Sequence, residues 1–283
     1  MEQRVTVITG GAGGIAKASA RRLAERGPLL LADLTDDGLA AASAELRESG
    51  IEAQTALCDV SDESSIAELA RRTAELGRLG ALVHTAGLAP PAARDPRAVF
   101  EVNAVGTARL LEAFLPLAEA GTAAICIASL AGHREFVREF DELLAHPERP
   151  GAWERLEELG ASRSDVLRTY SLSKRSIILQ VRHGAAAWGA RGARLVSISP
   201  GLVVDTTIGA GASTIHAGAY AEQSALARPG YAADIAGVVA FAASDDAGYV
   251  TGTDLLADGG VVAFTLDHAD RTTRDAWNSA NYS

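Results

Sequence analysis

The sequence predicts a single-domain, doubly wound α/β fold, a parallel sheet covered by helices on both faces with one small helical insertion. Three observations carry that expectation. Short apolar runs without polar alternation, such as Val5-Thr6-Val7-Ile8, take turns along the chain with longer segments of helical period. Strands that are apolar on both sides belong in a sheet buried on both sides. A glycine-rich stretch, Thr9-Gly10-Gly11-Ala12-Gly13-Gly14-Ile15-Ala16, joins the first run to the first helical segment, which is where such folds hold phosphate groups. No internal repeat or low-complexity linker breaks the rhythm, so residues 1–265 are read as one domain and 266–283 as a polar tail. The chain's 283 residues exceed the usual ~100–150 of a domain, but α/β folds run longer as one unit.

The first strand, residues 4–8, feeds the glycine turn and a helix over 15–26. A second apolar run at 28–32 precedes a helical pattern at 37–48, and a third at 53–57 ends in Cys58-Asp59-Val60 before a helix at 65–75. The fourth strand, 81–83, ends at His84-Thr85-Ala86-Gly87, and one long helix is expected from 96 to 119. A fifth strand at 123–128 ends at Ser129; then come a helix at 166–188, a strand at 194–198, a helix at 231–243 and a last short strand at 255–257. Two further segments fall outside the alternation. Residues 133–168 hold two charged amphipathic patterns, 135–144 and 153–159, around Pro147 and Pro150, and read as the helical insertion. Residues 204–227 are rich in Gly, Ala and Thr with weak periodicity; loops of that length serve as lids or binding loops.

Composition removes several classes of function. Lys plus Arg number 26 and Asp plus Glu 36, a net charge of 26 − 36 = −10, and an acidic chain without a basic run suits neither nucleic acid nor an anionic membrane. No apolar stretch approaches the ~20 residues that span a bilayer. A strand starting at residue 4 leaves no room for a signal peptide, so a cytoplasmic location is expected. Cys58 and Cys126 lack metal-type spacing and sit in apolar, strand-like segments. Buried inert thiols, and no metal site, are the expectation.

The glycine turn lets backbone N–H groups approach a pyrophosphate at a helix N-terminus. Asp33 ends the second strand, 33 − 14 = 19 residues after Gly14, where an acidic residue accepts from adenosine ribose hydroxyls. A helix cap or turn aspartate is the plainer alternative. A 2′-phosphate would face that carboxylate, with no Arg in Leu34-Thr35 or in the turn. NAD is therefore expected in preference to NADP, with Gly10, Gly14, Ile15, Asp33 and Leu34 among its contacts.

Tyr170 and Lys174, four apart, share one face of a helix. An ammonium there lowers a phenol's pKa from its reference of about 10, so the phenol can exchange a proton with an alcohol or ketone near neutral pH. Ser129, at the carboxyl end of a strand, faces the ligand crevice and can polarise a substrate oxygen. Each has a plain counterpart: a surface Tyr–Lys pair, a serine that forms a turn.

In order along the chain, the glycine turn, Asp59-Val60, Ala86-Gly87, Asn103, Ser129, Tyr170 to Lys174, Pro200-Gly201 and Asp258-Gly259-Gly260 resemble the short-chain dehydrogenase/reductase family. The resemblance implies a Rossmann fold and a nicotinamide-dependent oxidoreductase. It also implies that Asp59 and Val60 contact adenine, that Thr85, Ala86 and Gly87 line the adenosine and ribose side, and that Pro200, Gly201 and Val203 flank the nicotinamide, with Thr206 or Thr207 near its carboxamide. Lys174 would bond the nicotinamide ribose, and Asn103 would hold a water in the proton relay; a mere helix irregularity is Asn103's plain reading. His84 replaces the family's usual Asn and is expected to pack or cap rather than to catalyse.

Ser129 and Tyr170 lie 170 − 129 = 41 residues apart, further than in most relatives, because the insertion intervenes. An excursion that leaves and returns at the crevice rim costs little extra entropy and leaves the pair in place. A long segment there, followed by Ala185-Ala186-Ala187-Trp188-Gly189, resembles bacterial 3α-hydroxysteroid dehydrogenase/carbonyl reductases. That implies a hydrophobic secondary alcohol or ketone as substrate, a hydroxysteroid or other alicyclic alcohol, with 204–227 as the substrate loop. The alternatives are an NADPH-preferring biosynthetic ketoreductase and a non-catalytic NAD(H)-binding sensor. The family pairs through outer helices and the last strand, so a homodimer or homotetramer is expected. An insertion lying over the helix that starts at Val166 would favour the dimer.

Overall fold

In a computed structural model of the chain, residues 3–90, 93–133, 138–160, 165–206 and 220–268 are described. Among them, β1 (Arg4–Thr9), β2 (Leu29–Asp33), β3 (Ala53–Leu57), β4 (Arg78–His84), β5 (Ala123–Ile127), β6 (Arg194–Pro200) and β7 (Thr253–Ala257) form one sheet in the order β3-β2-β1-β4-β5-β6-β7. Every pairing is parallel. The chain runs outward from β1 through β2 and β3, then returns to β4 on β1's other side. That reversal opens a crevice at the carboxyl ends of β1 and β4.

The α-helices among the described residues are α1 (Gly14–Leu23), α2 (Asp36–Glu48), α3 (Glu63–Leu76), α4 (Pro96–Phe100), α5 (Gly106–Phe114), α6 (Arg138–Ala145), α7 (Ala152–Glu158), α8 (Val166–Gly189), α9 (Ala232–Ala243) and α10 (Val261–His268). Alternate residues of each strand serve opposite faces, although the strands look uniformly apolar. Val5, Val7, Leu30, Leu82 and Cys126 pack with Ile66, Leu110, Phe114 and Ile177 of α3, α5 and α8. Ile8, Leu29, Leu31, Val83 and Ile125 pack with Ala20, Leu39, Ile235 and Val239 of α1, α2 and α9. Each such aliphatic side chain taken from water contributes ~1.5–3 kcal/mol.

Two expectations need correction. The helix expected over 96–119 is not continuous: a π-helical turn, Glu101–Val105, separates α4 from α5, and a 3-10 turn, Leu115–Leu117, follows. The π turn keeps the apolar residues on one side, so it is invisible in the sequence, while Pro116, lacking an N–H, marks the end. The first three residues of the segment read as a tail from 266 belong to α10, which runs to His268; the rest of that segment lies outside the described residues. So do 134–137 and 161–164 of the insertion and 207–219 of the loop, including Thr207.

The insertion's two amphipathic patterns form α6 and α7. Phe140, Leu144, Trp153 and Leu156 join Phe100, Val105, Leu172 and Leu179 in a third apolar cluster on α4 and α8, with the Phe100 and Trp153 ring centroids 5.3 Å apart. Arg175, 1% exposed, reaches out to Asp141 of α6 at 2.8 Å, and Ser176 Oγ donates to the Leu144 carbonyl at 2.6 Å. The insertion thus covers the outer face of α8. Beneath it β5 and β6 pair without a slip from Ala123 opposite Arg194 to Ile127 opposite Ile198, so the excursion leaves the sheet undistorted. Cys58 and Cys126 are free and buried, and burial pushes their thiols up to about 11 and about 12, as inert thiols require. No described helix is long and apolar enough to cross a membrane, and no described cluster of His, Cys, Asp or Glu could hold a metal ion.

Candidate active site

The crevice begins at the glycine turn. Gly10 has φ +69°, and a Cβ there would lie 2.6 Å from the Ala86 nitrogen and 2.7 Å from Thr85 Oγ1, so only glycine fits. Thr85 Oγ1 donates to the Thr9 carbonyl at 2.8 Å, which ties the β4 end to the turn. Gly13 precedes α1 without a side-chain cap, and the first turn of α1 carries no acidic residue. Its leading N–H groups and positive pole therefore suit a phosphate.

Asp33 stands beside the turn. Its Oδ2 accepts from Ala12 N–H at 2.9 Å and its Oδ1 from Leu34 N–H at 2.7 Å, which leaves further lone pairs on each oxygen. Leu34 is exposed. Lys17 and Arg21 of α1 both pair with Glu45 of α2. At the β3 end, Cys58 N–H bonds the Asp33 carbonyl at 2.8 Å, so Asp59 and Val60 begin next to Asp33. Asp59 Oδ1 takes the Ser61 amide and hydroxyl, while Val60 is buried.

Opposite the turn lies the end of β6. Gly201 N–H bonds the Ala257 carbonyl at 3.1 Å, Val203 pairs with Gly230, and Thr206 Oγ1 donates to the Val203 carbonyl at 3.0 Å. A Cβ on Gly14 would lie 2.9 Å from the Asp205 carbonyl oxygen, so the start of the 204–227 loop touches the glycine turn. Asp205 in turn caps α9, accepting from Ala232 N–H at 2.7 Å.

The π turn places Asn103 at the crevice floor. Its amide donates to the Leu88 carbonyl at 2.8 Å and Ser173 Oγ at 3.0 Å, and its Oδ1 accepts from Leu88 N–H at 2.7 Å. A Cβ on Gly87 would sit 3.0 Å from Asn103 Oδ1 and 3.6 Å from Lys174 Nζ, so these three residues meet. Lys174 Nζ donates to the Ile127 carbonyl at 3.0 Å and lies 5.8 Å from the centroid of the Tyr170 ring. Burial lowers its pKa from the ordinary 10.5 to about 8.

Ser129 follows β5 and heads a 3-10 turn, Leu130–His133. Its Oγ accepts from Ala131 N–H at 3.1 Å and its carbonyl from Gly132 N–H at 2.9 Å. A Cβ on Gly132 would come within 2.9 Å of Arg175 N and of the Lys174 carbonyl carbon and oxygen. Backbone thus touches backbone, and Ser129's turn is pressed onto the stretch of α8 that carries Tyr170 and Lys174.

His84 is buried between two threonines. Thr107 Oγ1 donates to the Asn103 carbonyl at 2.6 Å and so accepts from His84 Nε2 at 3.0 Å; Thr9 Oγ1 then donates to Nδ1 at 2.7 Å. Burial, aided by the Lys174 charge, pushes its pKa down to about 3. The sequence suggested a packed or capping histidine, and His84 is packed; its tie between β1 and the π turn had no sequence signal. The Ile127 carbonyl, Gly132 and Asp205 carry no local sequence signal and were missed.

A family model described as "short chain dehydrogenase" matches residues 4–139, and one described as "Enoyl-(Acyl carrier protein) reductase" matches residues 159–262. The chain is 32% identical over 263 residues to the cis-4-hydroxycyclohexanecarboxylate dehydrogenase of Sinomonas cyclohexanicum, covering 92% of this chain and 97% of that one. It is 30% identical over 271 residues to the short-chain dehydrogenase/reductase bsc3 of Alternaria brassicicola, covering 93% and 97%. The crystal structure of levodione reductase superposes with a TM-score of 0.74 at 28% identity, over 92% of this chain and 98% of that one. With matches along nearly its whole length and the fold to go with them, the chain belongs to the short-chain dehydrogenase/reductase family, nicotinamide-dependent oxidoreductases of CH–OH groups.

Proposed function

We propose that this protein interconverts an alicyclic secondary alcohol and its ketone with NAD(H). The observation that carries the reading is the meeting of Asn103 and Lys174 at Gly87, with Lys174 bonded to the Ile127 carbonyl and Ser129's turn seated on the helix that carries Tyr170. In oxidation Tyr170 takes the substrate's hydroxyl proton, and in reduction it returns it. Lys174, held between a carbonyl and the Tyr170 ring, favours the phenolate and would donate to the nicotinamide ribose. Ser129 Oγ donates to the substrate oxygen, where alkoxide charge develops. Asn103, locked by Leu88 and Ser173, holds the π turn that supports a relay water. The nicotinamide supplies the hydride acceptor in oxidation and the hydride donor in reduction.

Gly10, Gly14 and Ile15 would hold the pyrophosphate, with Asp33 and Leu34 at the adenosine ribose, Asp59 and Val60 at adenine, Thr85, Ala86 and Gly87 along the ribose, and Pro200, Gly201, Val203 and Thr206 at the nicotinamide. The reading of NAD over NADP is supported by Asp33's carboxylate at the turn and by Glu45's pairing with Lys17 and Arg21. The alicyclic substrate class is supported by the activities named for the Sinomonas dehydrogenase and for levodione reductase.

The test is NADH formation at 340 nm with cis-4-hydroxycyclohexanecarboxylate, cyclohexanol and 3-hydroxysteroids, with NAD and NADP in parallel. Turnover preferring NAD is expected. Tight NADH binding with no turnover of any alcohol or matching ketone would contradict the reading and favour an NAD(H)-binding sensor.

A further inference from the structure

Ser129 keeps its place although a long insertion leaves the chain four residues later, and the turn between them shows how. The turn is fixed at two points. Gly132 abuts the α8 backbone, as described. His133, the first residue of the insertion, turns back into the protein, where its Nε2 lies 2.9 Å from Asp254 Oδ2 and 3.3 Å from Ser199 Oγ. Asp254 belongs to β7, and its other oxygen accepts from Ser197 Oγ at 2.6 Å and Ser199 Oγ at 3.0 Å. These serines sit two apart on β6, so both face the same side of the sheet. The His133 and Asp254 side chains are only 6% and 4% exposed.

A carboxylate buried among two hydroxyls and an imidazole is a poor source of stability, because desolvation offsets most of the attraction. Its strength is geometric: three donors from two other segments fix one position. The carboxylate requires a proton on His133 Nε2, so that nitrogen donates. Among the described residues His133 Nδ1 is buried with no hydrogen-bond partner, so all of the ring's polar contacts run through Nε2 to Asp254 and Ser199.

We propose that the His133–Asp254 pair is the positioning device for Ser129, clamping the Ser129 turn to β6 and β7 at the point where the insertion leaves the sheet. The assignment rests on Ser129 acting as the substrate-oxygen donor. His133 touches no substrate and works only through that turn.

Two measurements decide it. The first is a double-mutant cycle in kcat for cis-4-hydroxycyclohexanecarboxylate oxidation with NAD. His133→Ala is expected to lower kcat ~10- to 100-fold by misplacing Ser129, with the KM for NAD unchanged. In a Ser129→Ala background the same change should leave kcat as it is. His133→Gln, whose amide nitrogen reaches the same acceptor, should restore most of kcat. Equal losses in both backgrounds, or no loss in the wild type, would overturn the proposal. Asp254→Asn, isosteric with the native residue, gives the same cycle should the alanine variant not fold.

The second measurement needs no turnover: hydrogen exchange of the Ser129–His133 peptide. Exchange in His133→Ala should rise there while the β5 and β6 amides stay protected; unchanged exchange would refute the clamp. If instead Ser129→Ala alone keeps full activity, the functional reading fails, while faster exchange in His133→Ala would still support the clamp.

Discussion

Replacing Gly132 with alanine tests how tightly the two halves of the site are joined. The added Cβ would meet Arg175 N and the Lys174 carbonyl carbon and oxygen at 2.9 Å, where ordinary contact begins at 3.4 Å. The turn or α8 must therefore retreat by 3.4 − 2.9 = 0.5 Å. All three atoms are backbone within a long helix that is packed on the sheet inside and on the insertion outside, so the lighter 3-10 turn is the part that moves. Forcing a methyl into such a contact costs ~1–3 kcal/mol, which corresponds to roughly 2–10 °C in melting temperature for a domain of this size. A misplacement of ~1 Å costs ~10²-fold in rate, so half of that at Ser129 should lower kcat by about tenfold. The assay is alcohol oxidation at saturating NAD, with the melt followed by circular dichroism. Wild-type kcat and melting temperature in Gly132→Ala would refute the close packing of Ser129's turn on α8.

The cofactor reading predicts that Asp33→Ala combined with Leu34→Arg lowers kcat/KM for NAD ~10- to 100-fold, the loss of hydrogen bonds to a charged group at ~1.5–3 kcal/mol, and raises it for NADP; an unchanged preference would contradict Asp33's role. Lys174 makes a pH-dependent prediction. Its pKa is lowered to about 8 in the folded protein, so burying the ammonium opposes folding below that pH, and the penalty fades as pH rises toward the ordinary 10.5. Lys174→Met should therefore be more stable than the wild type at pH 7, by a margin that narrows between pH 8 and 10.5 in denaturant titrations; a constant margin would argue against a buried ammonium. The insertion covers the outer face of α8, one of the outer helices through which the family resemblance implies pairing, so the native protein should sediment as a dimer. Replacing residues 135–163 with a short turn should shift it toward a tetramer in analytical ultracentrifugation, and an unchanged assembly would count against that role.

Much of this structure was legible in the sequence because doubly wound sheets advertise themselves. Runs such as Leu29 to Ala32 are too short for helices and too apolar for a half-exposed sheet, and the glycine turn falls at the one junction where a helix N-terminus meets the crevice. The 19-residue spacing from Gly14 located Asp33, but not the use of its oxygens by Ala12 and Leu34. The π turn at Asn103 was hidden because it preserves the helical apolar pattern around it. Gly132, the Ile127 carbonyl and the His133–Asp254 pair had no local signal. Their partners lie 43, 47 and 121 positions away along the chain (175 − 132, 174 − 127, 254 − 133), and such contacts exist only once the sheet is assembled. The insertion's two amphipathic patterns did show, since α6 and α7 each bury one stripe against α4 and α8.

The central claim is that Tyr170 moves the proton in an NAD-dependent alcohol oxidation. Tyr170→Phe keeps the ring beneath Lys174 and removes only the hydroxyl. Steady-state turnover of an alicyclic alcohol, paired with NADH titration by calorimetry, tests it most directly. The account predicts turnover lowered by at least ~10³-fold, within the reach of lost acid–base catalysis, with NADH affinity unchanged. Turnover within tenfold of the wild type would contradict it.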